Sequence, residues 1–113
     1  MSGKQQENFF DIVQLDRLRT KSGKSYLEFL RVSSLSAGVY VLAAGGTDPQ
    51  KPHHEDEMYY VVRGRARMRI SGEDQAVAHG SIIFVPASVQ HSFYEIAEEL
   101  VVLVFFAPAE SQA

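Results

Sequence analysis

Short apolar runs alternate with turn residues along almost the whole chain. Gly23, Gly38, Gly45-Gly46, Asp48-Pro49, Gly64, Ser71-Gly72, Gly80 and Pro86 punctuate it at intervals expected of antiparallel β architecture. The stretches between them predict strands over 26–32, 39–43, 58–62, 65–70, 81–85, 91–95 and 100–106. They are rich in Val, Ile, Tyr and Phe, and several alternate with period two. The cleanest alternation is 65–70, with Ala66, Met68 and Ile70 on one face and the arginines on the other. Ser71-Gly72-Glu73-Asp74 then supplies a hairpin turn. Residues 9–18 are ambiguous: Phe9, Ile12, Val13 and Leu18 suit a short helix, and 11–15 suits a strand equally. About seven to nine strands in ~100 residues predict an all-β closed barrel or double-sheet jelly roll, because one open sheet of that size would expose edges and an apolar face.

Composition narrows the class. A chain of 113 residues, 45% hydrophobic and 22% charged, fits one domain over 1–113, and only the polar or aperiodic ends, 1–8 and 108–113, are expected to fray. The longest apolar run, 100–107, is eight residues, far short of the roughly 20 of a membrane helix. The polar start, 1–7, cannot serve as the apolar region of a signal peptide. With no Cys there are no disulfides, thiolate metal sites or Cys nucleophile, which suits a reducing compartment. A cytoplasmic location without a membrane partner is the expectation.

A net charge of −3 argues against nucleic acid as a partner. The charge is unevenly distributed: all eleven Lys and Arg lie at or before Arg69, with eight acids, whereas residues 70–113 hold six acids and no base. Arg63, Arg65, Arg67 and Arg69 form one stripe, read as a solvated or dimer-facing strand surface in preference to a face for an acidic partner. No Gly-rich phosphate loop or Ser/His/Asp arrangement is present.

The candidate chemistry lies in the four histidines. His53 and His54 directly precede the strand at 58–62, His91 opens an aromatic strand, and His79 sits in a turn. Four residues of extended chain span ~13 Å, too far for His53 and Glu57 to share an ion, so both can ligate only if 54–56 turns. Two imidazoles and one carboxylate with open positions suit Zn²⁺ or Fe²⁺, and also Mn²⁺, Ni²⁺ or Co²⁺. His54 faces the opposite way if the chain is extended there. Glu55 and Asp56 read as a solvated turn. Tyr59 shares the face of Glu57 by period two, which makes it a candidate to touch a bound ligand; Phe93, on the face of His91, reads as core.

These residues resemble the cupin superfamily. Glu57, six residues and Gly64 match the close of the first cupin motif. Gly80, five residues, Pro86, one residue, Ser88 at a usual Gly, two residues and His91 match the second. Fifteen residues between Gly64 and Gly80 are typical of small prokaryotic cupins, and 48–60 is similar to cupins of the tetracenomycin polyketide synthesis type. The resemblance implies a single-domain double-stranded β-helix with three inherited metal ligands, His53, Glu57 and His91. Lys51 stands where the family's first His belongs, and Glu95 where the second motif usually ends in Asn. Gln50, His54 or water are the candidates for a fourth place.

The expected function is metal-dependent chemistry on a small organic molecule, aromatic or polyketide-like, with Tyr59 orienting it. Oxygenation, cyclisation and isomerisation all remain open. The alternative is a non-catalytic binding, sensing or accessory cupin, in the last case with a degenerate site. A homodimer is expected from the resemblance.

Overall fold

A computed structural model describes residues 7–49 and 51–111. They form one helix, α1 (Ile12–Ser22), and six strands: β1 (Tyr26–Val32), β2 (Leu35–Leu42), β3 (Asp56–Ile70), β4 (Glu73–Ala78), β5 (Ile82–Val85) and β6 (His91–Ala107). All pairings are antiparallel, in the order β1-β2-β6-β3-β4, with β5 also on β3.

The ambiguous N-terminal segment is the helix. Asp11 caps it by accepting from Gln14 N at 3.3 Å, and Gly23, left-handed at φ 74°, ends it. Its inward residue, Leu15, packs on Val39, Val41 and Val101 of the outer sheet face. Those partners lie on β2 and β6, outside any local pattern, so periodicity alone left the choice open.

The turns expected near Gly64 and after Glu95 are bends inside two long strands. The register between β3 and β6 shifts between Val61 and Arg67. Glu57, Tyr59 and Val61 are buried before the bend, and Ala66 and Met68 after it, so the inward parity changes from odd to even. On β6 it changes from His91 and Phe93 to Leu100, Val102, Val104 and Phe106. The inward residues of both halves form one core.

At the bend Gly64 has φ 99°, and a Cβ there would lie 2.2 Å from the carbonyl oxygen of Glu99. Two departures from the cupin pattern occupy similar backbone: Ser88 has φ 66° and Glu95 has φ 45°. Gly and Asn are the residues that tolerate such angles, which accounts physically for their usual presence there.

The bends also keep the arginines outside. Arg63 meets Glu99 at 3.0 Å, Arg65 meets Glu98 at 3.0 Å, and Arg67 and Arg69 both meet Asp74, at 2.7 and 3.2 Å. The basic first part of the chain is thus laid against the acidic second part. Of the C-terminal end expected to fray, residues 109–111 are hydrogen-bonded to Ser33, Ser36 and Glu55.

Gly64→Ala should cost roughly 2–3 kcal/mol through steric conflict and backbone strain. Ser88→Gly should raise stability by about 1 kcal/mol by relieving a left-handed serine. Chemical denaturation of the two variants checks both signs.

Candidate metal centre

Glu57 pairs with Phe106 at one end of β3, and Ile70, at the other end, pairs with His91. A straight strand would hold these ends about 43 Å apart. Instead His91 Nε2 lies 3.1 Å from Glu57 Oε1. The sheet is therefore curled into a barrel. Its closure is local: Val85 of β5 pairs with Glu57, and the loop 86–90 leads directly into His91.

His53 arrives from the loop before β3. Its Nε2 lies 3.9 Å from Glu57 Oε1, its ring packs edge-on against Phe106, and its carbonyl accepts from Ser88 N at 2.6 Å. The expected approach of His53 to Glu57 is thus present. Ligating atoms of His53, Glu57 and His91 lie within 4.8 Å of one another, the one such group of three or more His and acidic side chains among the described residues.

The donor chemistry fits a cation. Glu57 is 1% exposed and His91 4%. Both Glu57 oxygens and His91 Nε2 are buried, with no hydrogen-bond partner among the described residues beyond their own 3.1 Å contact. His91 Nδ1 lies 2.9 Å from the Val89 carbonyl, and donation there leaves the Nε2 lone pair facing Glu57. A buried carboxylate beside such a lone pair requires either a proton between the two groups or a metal ion.

The other candidates lie differently. His54 is exposed and outside the group, as is Lys51. Gln50 lies outside the described residues. Tyr59 is fully buried, with its ring 6.1 Å from His91 and 5.0 Å from Phe93. The solvated turn expected at Glu55 and Asp56 is corrected. Glu55 is 5% exposed and accepts from Ser111 N and Oγ, while Asp56 opens β3 and accepts from Ala87 N. Glu55 is shielded by residues far away in sequence, so its polar neighbours misled.

A cavity of about 220 Å³ adjoins His53, lined by Tyr26, Tyr40, Val104, Phe106 and Glu110. Sequence reasoning missed both tyrosines and Glu110. Gly38 was a usable signal, since a Cβ there would lie 2.3 Å from the Tyr26 ring that covers it. Tyr40 OH donates to Asp48 at 2.7 Å, and Asp48 also accepts from Phe93 N at 2.9 Å, tying β2 to β6. Tyr26 OH is buried without a hydrogen-bond partner. Burial raises both phenols far above their ordinary range, so they stay protonated. A larger cleft, about 490 Å³ beside β4 and β5, contains no histidine. The donor set, not volume, marks the site.

The comparisons agree with this fold. The cupin domain family model matches residues 38–106. The uncharacterized protein SCO3923 of Streptomyces coelicolor is 48% identical over 102 residues, 90% of this chain and 97% of that protein. The structure of TT1209 from Thermus thermophilus superposes with a TM-score of 0.70 at 25% identity, covering 89% of this chain and 97% of that one. The DMSP lyase DddQ of Ruegeria pomeroyi DSS-3 gives 0.63 at 25% identity over 67% of this chain, which spans only 39% of that one.

Burial pulls the His91 pKa down, but the Glu57 carboxylate, the Val89 carbonyl and the charge of Asp48 push it up and prevail. A raised folded value stabilises the metal-free protein fully below the unfolded value near ~6.5, and that contribution is lost as pH rises through the folded value. Urea denaturation of chelator-treated protein should therefore show stability falling across that window. His91→Gln should flatten the fall.

Proposed function

Because the chain belongs to the cupin domain family, we propose that it holds one divalent transition-metal ion, Zn²⁺ or Fe²⁺ first, and acts with it on a small organic molecule. The observation that carries this is the buried Glu57 carboxylate with the imidazoles of His91 and His53 gathered on its Oε1, at 3.1 and 3.9 Å, and few other groups to satisfy them. His53, Glu57 and His91 would hold the ion, with Val89 fixing the His91 ring. The ion would supply a Lewis-acid or dioxygen site. Phe106 packs against His53 and also lines the cavity, so one wall serves both ligand and substrate.

The cavity supports one class of substrate. At about 220 Å³ it exceeds the roughly 150 Å³ that accepts benzene in an engineered protein core, and it is lined by three aromatic rings. A single substituted ring fits, with a polar group for the Tyr26 hydroxyl. This supports the aromatic, polyketide-like substrate. Tyr59, the expected orienting residue, is fully buried beside His91 and outside this cavity's lining, so in this proposal it packs against the His91 ring and does not touch the substrate. The lyase among the similar structures supports catalysis over simple binding. Lys51, exposed at the family's first His position, supports the second reading, an accessory or binding cupin with a degenerate site. A homodimer in the cytoplasm completes the proposal. Exposed Met58, Ile82 and Phe84 on the outer face support the dimer, and sedimentation equilibrium measures it.

The test is metal uptake. Wild-type protein should bind about one ion per chain and, at a hundred-fold excess over the dissociation constant, gain on the order of 2.7 kcal/mol. The accompanying rise in melting temperature should vanish with chelator or on acidification, because imidazole ligates only when neutral. His91→Ala should abolish most of the rise. A wild-type melt indifferent to metal and chelator would favour the degenerate site.

The adjacent histidines should behave differently. His53→Ala should impair uptake strongly and His54→Ala hardly at all, as elemental analysis of the two variants would show. Equal losses would make His54 a ligand.

A further inference from the structure

The segment after β6 is fixed to three separate parts of the protein. Ala109 N donates to the Ser33 carbonyl at 3.3 Å, and Glu110 N donates to Ser36 Oγ at 2.8 Å. Arg31 Nη2 donates to the Glu110 carbonyl at 2.8 Å, and Ser111 donates to buried Glu55. None of these bonds uses the Glu110 side chain. That side chain lines the cavity beside the metal centre, with Oε2 3.5 Å from His53 Nδ1.

His53 is therefore bracketed by carboxylates, Glu110 at Nδ1 and Glu57 at Nε2. A neutral imidazole carries one N–H, and the nitrogen that carries it cannot ligate. For His91 the Val89 carbonyl keeps the proton on Nδ1. For His53 the group facing Nδ1 is the Glu110 carboxylate.

Resting on the reading of His53 as a ligand, we propose that Glu110 is its positioning residue. The Glu110 carboxylate accepts the Nδ1 proton, which turns the ring and leaves the Nε2 lone pair facing Glu57 and His91. The strap of backbone bonds at 109–111 holds the carboxylate in place, so a residue beyond the last strand completes a centre assembled from β3, β6 and the loop before β3.

Zn²⁺ competition against a chromogenic chelator, combined with the ¹⁵N tautomer signature of His53 in metal-free protein at pH 8.5, tests this. Glu110→Ala should weaken Zn²⁺ binding about 10–100-fold, the usual effect of removing such a carboxylate. It should also move the His53 proton from Nδ1 to Nε2. Glu110→Gln, whose amide oxygen still accepts, should keep the Nδ1 proton and lose less affinity. An unchanged tautomer in Glu110→Ala overturns the proposal, and so does Zn²⁺ affinity equal to wild type. If wild-type protein takes up no Zn²⁺, the ligand reading of His53 fails. The metal-free tautomer measurement would still decide the role of Glu110.

Discussion

A carboxylate stripped of water is the constraint around which this protein is organised. Glu57 is almost fully buried inside an apolar barrel, and among the described residues its oxygens meet little besides the two imidazoles. An ionised group in that position is untenable without an opposite charge at contact distance. Two imidazoles stand there, each brought by a different stretch of chain. The curl of the sheet brings His91 from the far end of the β3 ladder, and the loop before β3 returns His53 across Phe106. The cavity with its two tyrosines lies against this group, so the cluster and the space beside it arise from the same closure.

Closure in turn depends on the two long strands changing their inward parity. Uninterrupted alternation along β3 from Glu57 and Tyr59 would turn Arg65, Arg67 and Arg69 into the core. The bend at Gly64 directs them outward, where the acids of β4 and β6 meet them. These exposed pairs contribute little stability individually. Their more secure consequence is that an uneven charge distribution along the chain becomes a mixed, locally neutral surface.

The all-β class and the strand faces were legible because they rest on short-range spacing, and the trio His53, Glu57 and His91 because the resemblance to the two cupin motifs implied it. Period two marks a half-buried strand, and the two Gly-anchored motifs fix where Glu57 and His91 stand. What could not be read is set by distant partners. Gly64 looked like a strand end, because a glycine in the left-handed region serves a bend and a turn equally. Glu55 looked solvated, yet it is covered by Ser111, 56 positions along the chain. Residue 110 sat in an aperiodic tail whose anchors, Ser33, Ser36 and Glu55, lie far upstream. The helix was undecided until Val39, Val41 and Val101 supplied the surface that Leu15 covers.

The parity switch has a consequence for how such a barrel tolerates change in length. Glu57 and His91 lie on opposite sides of the bends. Loss of one residue within either half, away from the bend, would turn the residues that follow it in that half to the opposite face. No point substitution in the core has that reach. Insertions and deletions are therefore confined to the connections between strands, such as the loop of 43–55, where length can vary without reversing a face. Over evolutionary time, the rim of such a barrel would be reshaped through its loops, while the strand lengths stay fixed.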